Sequence, residues 1–225
     1  MAFWMVLLIL FIVCFLLGSI PWGVVISRVF YHTDVRDHGS GNIGATNSLR
    51  TLGKAGGAAV FLLDFGKGVA AGLVAWWACH GMGVAHPAYP LPLEQPVVQI
   101  IYALAFLACV WGHVFSPWLR FKGGKGIAVA VGCEFIVFGL WPTLLEIAIF
   151  ALVVAISRRV SAGSLAAAVA CPFIALYLYW GNWLAWLFFL LAAVTVIWAH
   201  RQNIKRLMAG TESTLSLKKH DGAKA

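Results

Sequence analysis

Residues Ile127 to Arg159 read IAVAVGCEFIVFGLWPTLLEIAIFALVVAISRR, and the number of times this stretch crosses a membrane decides the fold. As one long helix it crosses once and leaves Arg158 and Arg159 on the far side. As two short helices broken at Trp141-Pro142 it crosses twice, and both arginines return to the side of Lys122 and Lys125. Proline favours the break, because it removes a backbone donor and clashes with the preceding turn. Charge decides more firmly. Other apolar stretches fall near 3–27, 55–79, 97–119, 162–180 and 183–199. With 127–140 and 143–156 counted separately there are seven spans. Placing the N-terminus outside then puts 28–54, 120–126, 157–161 and 200–225 inside. Of the 16 Lys and Arg, all but Lys67 fall in those segments. Cations that gather on one side mark the cytoplasmic face.

Composition agrees. Of 225 residues, 62% are hydrophobic and 11% charged, and mean hydropathy is +0.89. This is far from a soluble protein and fits a polytopic helical membrane protein. The expected fold is an all-α bundle of seven transmembrane helices, two of them short, with the C-terminus cytosolic. Residues 1–212 form one membrane domain and 213–225 a short polar cytosolic tail. The net charge of +8 reads as orientation and headgroup attraction, not as nucleic-acid binding. Met1 to Leu17 lacks a basic leader and reads as a first membrane helix. Cys14, Cys79, Cys109, Cys133 and Cys171 are isolated, with no spacing that suggests a disulfide framework or zinc site. No carboxylate cluster is evident either, so neither metal nor cofactor is expected.

Three polar segments interrupt the apolar chain, all on the inside face: Gly39-Ser40-Gly41-Asn42-Ile43-Gly44-Ala45-Thr46-Asn47, Lys122-Gly123-Gly124-Lys125-Gly126, and His200-Arg201-Gln202-Asn203-Ile204-Lys205-Arg206. The first matches G-x-G-x-x-G, but a dinucleotide site needs a strand before it and a βαβ unit around it. The second is no Walker A loop, since no Ser or Thr follows the lysine. His32 and Asp37 have the spacing of a soluble-type acyltransferase pair without its α/β scaffold. Asp34, Asp37 and Gly39 half-match a CDP-alcohol phosphatidyltransferase motif whose further aspartates are missing.

Simpler physics remains. Glycine-rich turns can present consecutive N–H groups to an anion, which makes Gly41, Gly123, Gly124 and Gly126 candidates. Asn42, Thr46 and Asn47 add polar groups. Arg50 and Lys125 add charge, and a helix opening after Gly126 adds its positive end. His200 and Asn203, three apart, share one helix face. Asp64 and Lys67 share a face inside the second span and can neutralise each other. Gly53-xxx-Gly57 and Gly68-xxx-Gly72 offer small residues for helix packing.

In order and spacing, G-S-G-N-x-G-A-T-N with Arg50, G-G-K-G, and H-R-x-N-I-x-R-L followed by Gly210-Thr211-Glu212 resemble the PlsY family, as does the Asp64/Lys67 pair. These are acyl-phosphate-dependent glycerol-3-phosphate acyltransferases of the bacterial inner membrane. The resemblance runs from the first helix to about Glu212. It implies a seven-helix bundle with a cytosolic active site that moves a fatty acyl group from acyl phosphate to the 1-hydroxyl of glycerol 3-phosphate. The products are lysophosphatidic acid and phosphate, in the first acylation of phospholipid synthesis. Membrane lipids are the surroundings, and a transient contact with the enzyme that makes acyl phosphate is implied. Ser40, His200 and Asn203 would then position or polarise reacting groups. Gly41, Asn42, Thr46, Asn47, Arg50, Gly123, Gly124, Lys125 and Gly126 would hold phosphate. Glu212, Asp64 and Lys67 would be structural. The competing class is a transporter or channel for a phosphate-bearing solute, which would place its site near the midplane and often shows an internal repeat.

Overall fold

A computed structural model describes residues 3–81 and 95–214. The described residues are helical throughout, joined by turns and two short 3-10 segments. The first apolar stretch is not one helix. It divides at Pro21 into α1 (Phe3–Ser19) and α2 (Trp22–Tyr31), because proline caps the second helix and cannot extend the first. α3 (Ala45–Gly81) begins ten residues before the apolar run does and bends at Gly53, whose φ of 77° and ψ of −173° no helix contains. Gly53 is therefore a hinge, not part of a packing face. Gly68 does pack as its spacing predicts. A Cβ there would sit 2.1 Å from the Val129 carbonyl oxygen, so only glycine lets the two helices touch.

The deciding stretch is broken, but not at Trp141-Pro142. α5 (Ile127–Val137) ends at Phe138, and Gly139, with φ of 83°, turns the chain into α6 (Leu140–Ser157). Trp141 and Pro142 lie in the first turn of α6, where a missing N–H removes no helical bond. α4 (Pro96–Val114), α7 (Val160–Leu178), α8 (Trp183–Ala199) and the short α9 (Arg201–Met208) complete the order. Among the described residues, five helical stretches are long and apolar enough to cross a membrane, and α8 with α9, bent by 56°, make a sixth when the pair is taken as one span. α5, with 11 residues, is apolar but shorter than a spanning helix. The expected external loop at 80–96 falls mostly on residues 82–94, outside the described residues, as does the tail from 215 onward.

α4 is the central pillar. It packs against α1, α3, α5 and α8, and Ile101, Tyr102, Ala105, Ala108 and Cys109 are fully buried. A Cβ on Gly18 would lie 2.1 Å from the Cys109 carbonyl, and one on Gly112 would lie 2.1 Å from that of Phe15. α1 and α4 therefore meet backbone to backbone, as membrane helices do when no solvent drives them together. All five cysteines are reduced and buried.

The two ends of the bundle differ. At one end Tyr179 donates to the Val137 carbonyl at 2.5 Å and Asn182 to that of Pro96 at 2.9 Å. Trp77, Trp141, Tyr177, Trp180 and Trp183 stand exposed near it, as aromatic side chains do at a membrane interface. At the other end Ser116 donates to the Ser19 carbonyl at 2.7 Å, and the cationic segments and the site gather there.

Candidate active site

The three polar segments converge on one cavity of about 530 Å³. Ser40, Asn42, Thr46 and Arg50 line it from the first segment, Lys125 and Gly126 from the second, and His200, Asn203 and Arg206 from the third. Two helices point their N-terminal turns into it: Ala45 and Thr46 of α3, and Ile127 and Ala128 of α5. First-turn N–H groups have no intrahelical partner and carry the positive end of the helix dipole, which suits a phosphate.

The first segment is held from within. The Asn47 side chain, almost fully buried, accepts from the Ser40 amide at 2.8 Å and donates to the carbonyls of Val35 and His38 at 2.9 and 3.1 Å. Asn47 thus spends its donors on the loop and not on a ligand. Gly39, at φ of 60°, is needed there because a Cβ would fall 2.3 Å from the Asn47 side-chain oxygen. Asn42 closes a local turn by accepting from the Gly44 amide at 2.9 Å. On the far side of the loop Asp34 binds Arg28 at 2.8 Å and Arg36 at 2.6 Å. The Arg36 hydrogen bond holds its carboxyl well below the usual range.

The second segment differs from the anion nest that its spacing predicts. The Gly123 amide donates to the Val114 carbonyl and the Gly124 amide to that of His113, both at 3.0 Å. Neither glycine lines the cavity, and neither does Gly41, whose amide donates to the His38 carbonyl. These glycines permit close approach instead. A Cβ on Gly123 would lie 2.0 Å from the His113 carbonyl oxygen, and one on Gly124 would lie 2.1 Å from Nε2 of the His113 ring. The loop is laid against the end of α4 so that Lys125 reaches the cavity. Burial lowers the Lys125 ammonium to about 8, helped by Arg206 and Arg50 and opposed by Glu212.

Beneath this loop lies a buried ion network. Lys67 Nζ sits 2.9 Å from Oδ1 of Asp64, 2.7 Å from the Ile20 carbonyl and 2.9 Å from Nδ1 of His113. An ammonium only donates, so His113 Nδ1 accepts and its ring proton sits on Nε2, toward Gly124. Asp64 and His113 also line the floor of the cavity. His113 was not singled out by its sequence context, which is that of any histidine at the end of an apolar helix.

The third segment carries the groups best placed for chemistry. His200 stands at the bend between α8 and α9, almost fully buried. Its Nδ1 is 2.8 Å from the Val196 carbonyl oxygen. A carbonyl only accepts, so Nδ1 carries the proton and Nε2 is left with its lone pair. Burial pulls the imidazole down to about 4, partly opposed by the Val196 hydrogen bond, which keeps it neutral near pH 7. Asn203 donates to Glu212 Oε1 at 2.7 Å, where Ser161 also donates at 2.7 Å, and Arg206 Nε meets Oε2 at 2.7 Å. Burial pushes the Glu212 carboxyl up, but the hydrogen bonds from Ser161, Arg206 and Asn203 outweigh it and leave it lowered. Ser161, Ser164 and Arg206 also line the cavity, beyond the residues to which the sequence motifs point. Arg206 sits inside the third motif and could have been found. The serines on α7 carry no signal in sequence.

One grouping of possible metal ligands is not visible in the sequence spacing. Glu134, Glu146 and Cys171 come together in the fold, with ligand atoms within 4.8 Å of one another.

A family model described as glycerol-3-phosphate acyltransferase matches residues 8–210. A glycerol-3-phosphate acyltransferase of Rhodopseudomonas palustris strain BisB5 is 42% identical over 91% of this chain and 94% of its own. Its counterpart in Thermosynechococcus vestitus is 39% identical over 92% and 94%. The crystal structure of PlsY, an integral membrane glycerol 3-phosphate acyltransferase, in its glycerol 3-phosphate form is 34% identical. It covers 93% of this chain and 96% of that one, with a TM-score of 0.77. The lysophosphatidic acid form of PlsY is 32% identical, with a TM-score of 0.74, covering 92% and 94%.

Proposed function

This chain belongs to the glycerol-3-phosphate acyltransferase family, and from that premise we propose that its acyl donor is acyl phosphate and that both substrates bind in the cavity between α3, α5, α7 and α9. The observation that carries the proposal is the meeting of Arg50, Lys125 and Arg206 with His200 and two helix N-termini in one cavity. Two phosphates need several cations and amides. The acyl chain needs the apolar side that Phe61, Phe150 and Val160 supply. Lysophosphatidic acid, the ligand of one PlsY structure, is the product that such a transfer gives.

Acyl phosphate is already activated, so no serine or cysteine nucleophile is needed. The glycerol 1-hydroxyl attacks the acyl carbonyl carbon, the bond from that carbon to the phosphate oxygen breaks, and an ester forms. The hydroxyl proton ends on the departing phosphate. His200 Nε2 accepts a hydrogen bond from the attacking hydroxyl, directing its lone pair at the carbonyl. Ser40, at the mouth, positions a reacting group. Lys125, Arg50 and the first-turn amides of α3 and α5 neutralise phosphate charge as it builds up. Asn203 and Glu212 act together, the carboxylate fixing the amide and tying α9 to α7. Asp64, Lys67 and His113 support the loop from below.

We further infer seven crossings with the site on the cytosolic face of the bacterial inner membrane. α5 and α6 would be separate crossings, and 1–212 one membrane domain with a short polar tail. The clustering of cations at the site end supports this orientation.

Purified protein given acyl phosphate and glycerol 3-phosphate should release phosphate and lysophosphatidic acid in equal amounts, and neither substrate alone should do so. Uptake of either solute into proteoliposomes without product would favour a transporter instead.

A further inference from the structure

Behind the phosphate end of α5, the structure holds a second polar centre with no part in acyl transfer. Glu134 on α5, Glu146 on α6 and Cys171 on α7 are each at least 96% buried. They line a cavity of about 20 Å³, walled otherwise by Phe106, Ile127, Ala130 and similar apolar groups. Apart from the Cys171 thiol beside Glu134, neither carboxylate oxygen of Glu134, nor Oε2 of Glu146, has a hydrogen-bond partner. No Lys or Arg borders the cavity. Ionisable side chains at this depth are expensive, and those in membrane proteins are paired or bind a ligand. Here two carboxyl groups from different helices face the same small space, with a thiol beside them.

We propose that Glu134, Glu146 and Cys171 bind a divalent metal ion of the zinc class, with water as fourth ligand. A divalent cation cancels two of the three charges that two carboxylates and the Cys171 thiolate would carry, and a proton kept on one carboxyl cancels the third. The donor set of two oxygens and one sulfur suits zinc, whereas magnesium and calcium require six or more oxygens. In a tetrahedral site with Zn–O near 2.1 Å and Zn–S near 2.3 Å, ligand atoms lie about 3.4–3.6 Å apart. The three atoms here lie within 4.8 Å of one another, and side-chain rotation closes the remainder. A cavity of about 20 Å³ has room for a single water. Binding releases the other ligand protons to solvent. Ile127 lines both this cavity and the active-site cavity.

The ion would act as a staple. α5 carries Gly126, Ile127 and Ala128 to the site, and α7 carries Val160 and Ser161. A metal joining α5, α6 and α7 fixes the spacing of those first turns without touching a substrate.

The test uses the full chain without a polyhistidine tag, purified in detergent, stripped with a chelator and titrated with Co²⁺. The expected result is one tightly bound Co²⁺ per chain with a thiolate-to-cobalt absorption band in the near ultraviolet, displaced by Zn²⁺. C171S should lose the band, and E134Q and E146Q should each weaken Co²⁺ at least tenfold. Absence of the band in the wild-type chain overturns the proposal and leaves a pair of neutral carboxyl groups sharing protons. So does Co²⁺ uptake without a thiolate band, which is binding at surface histidines, or an unchanged band in C171S. Should C171S not accumulate, unchanged affinity in both glutamine variants overturns it equally.

Discussion

The Gly124 amide donates to the His113 carbonyl at 3.0 Å, and the side chain it lacks leaves the space that the His113 ring fills. The glycine pair of the second motif is therefore a packing device. It presses the Lys125 loop onto α4 and onto the Asp64–Lys67–His113 network below.

Gly124→Ala should accordingly lower both turnover and thermal stability. The new Cβ would meet Nε2 of His113 at 2.1 Å, and overpacking of a rigid site costs about 1–3 kcal/mol. Steady-state kinetics and thermal unfolding on the same preparation check this. A variant with wild-type stability and only a raised KM for glycerol 3-phosphate would restore the nest reading.

Lys125 should give the enzyme an alkaline limit. Its ammonium loses its proton near pH 8 in the free protein, so KM for phosphate substrates should rise as pH climbs through that value. Lys125→Ala should lose most activity at every pH. Lys125→Arg should recover only part of it, because the planar fork is bulkier, but its KM should no longer rise near pH 8. An alkaline limb unchanged in Lys125→Arg would assign it to another group.

His200 should stay neutral through the working range. Its pKa in the folded chain, about 4, lies below the roughly 6.5 of a free histidine, so protonation favours the unfolded state. The stability this confers is present above about pH 6.5 and is lost as pH falls toward 4. Turnover should show no His200 limb between pH 6 and 8. His200→Ala should reduce kcat by about 10²-fold while the protein remains folded. Near-normal kcat in that variant would remove His200 from the chemistry.

Glu212, in the turn after α9, binds three side chains from two helices, Ser161 of α7 and Asn203 and Arg206 of α9. Glu212→Ala should destabilise the protein by about 1–3 kcal/mol, since Ser161 and Asn203 are left with unmet donors. The loss should appear as a lower Tm and lower yield, with a smaller loss of kcat. Unchanged Tm with abolished kcat would make Glu212 a reacting group instead.

Much of this was legible in the chain. The broken middle stretch, the one-sided cations and the three polar segments follow from hydropathy and charge, and the structure brings residues of all three segments to one cavity. Other features were hidden for physical reasons. Gly139, not Pro142, turns α5 into α6, because proline is harmless in a first helical turn and only φ tells the two apart. The amides of Gly123 and Gly124 were expected to face an anion, yet α4 takes them, a long-range pairing no local spacing reveals. Asn47 braces its own loop for the same reason. Glu134, Glu146 and Cys171 lie on three helices, 12 to 37 positions apart, so they form no motif until the bundle assembles.

Orientation can be read by labelling single cysteines in a cysteine-free background. Position 181 should react from outside, and positions 122 and 205 only from the cytosolic side. Labelling of all three from one side would defeat the seven-crossing arrangement.

The most direct test of the central claim is donor choice. Purified chain in detergent is given glycerol 3-phosphate with either acyl phosphate or an acyl thioester of the same chain length, and lysophosphatidic acid is measured with free phosphate. The account predicts product only from acyl phosphate, with one phosphate released per ester formed. Product from the thioester and none from acyl phosphate would contradict it.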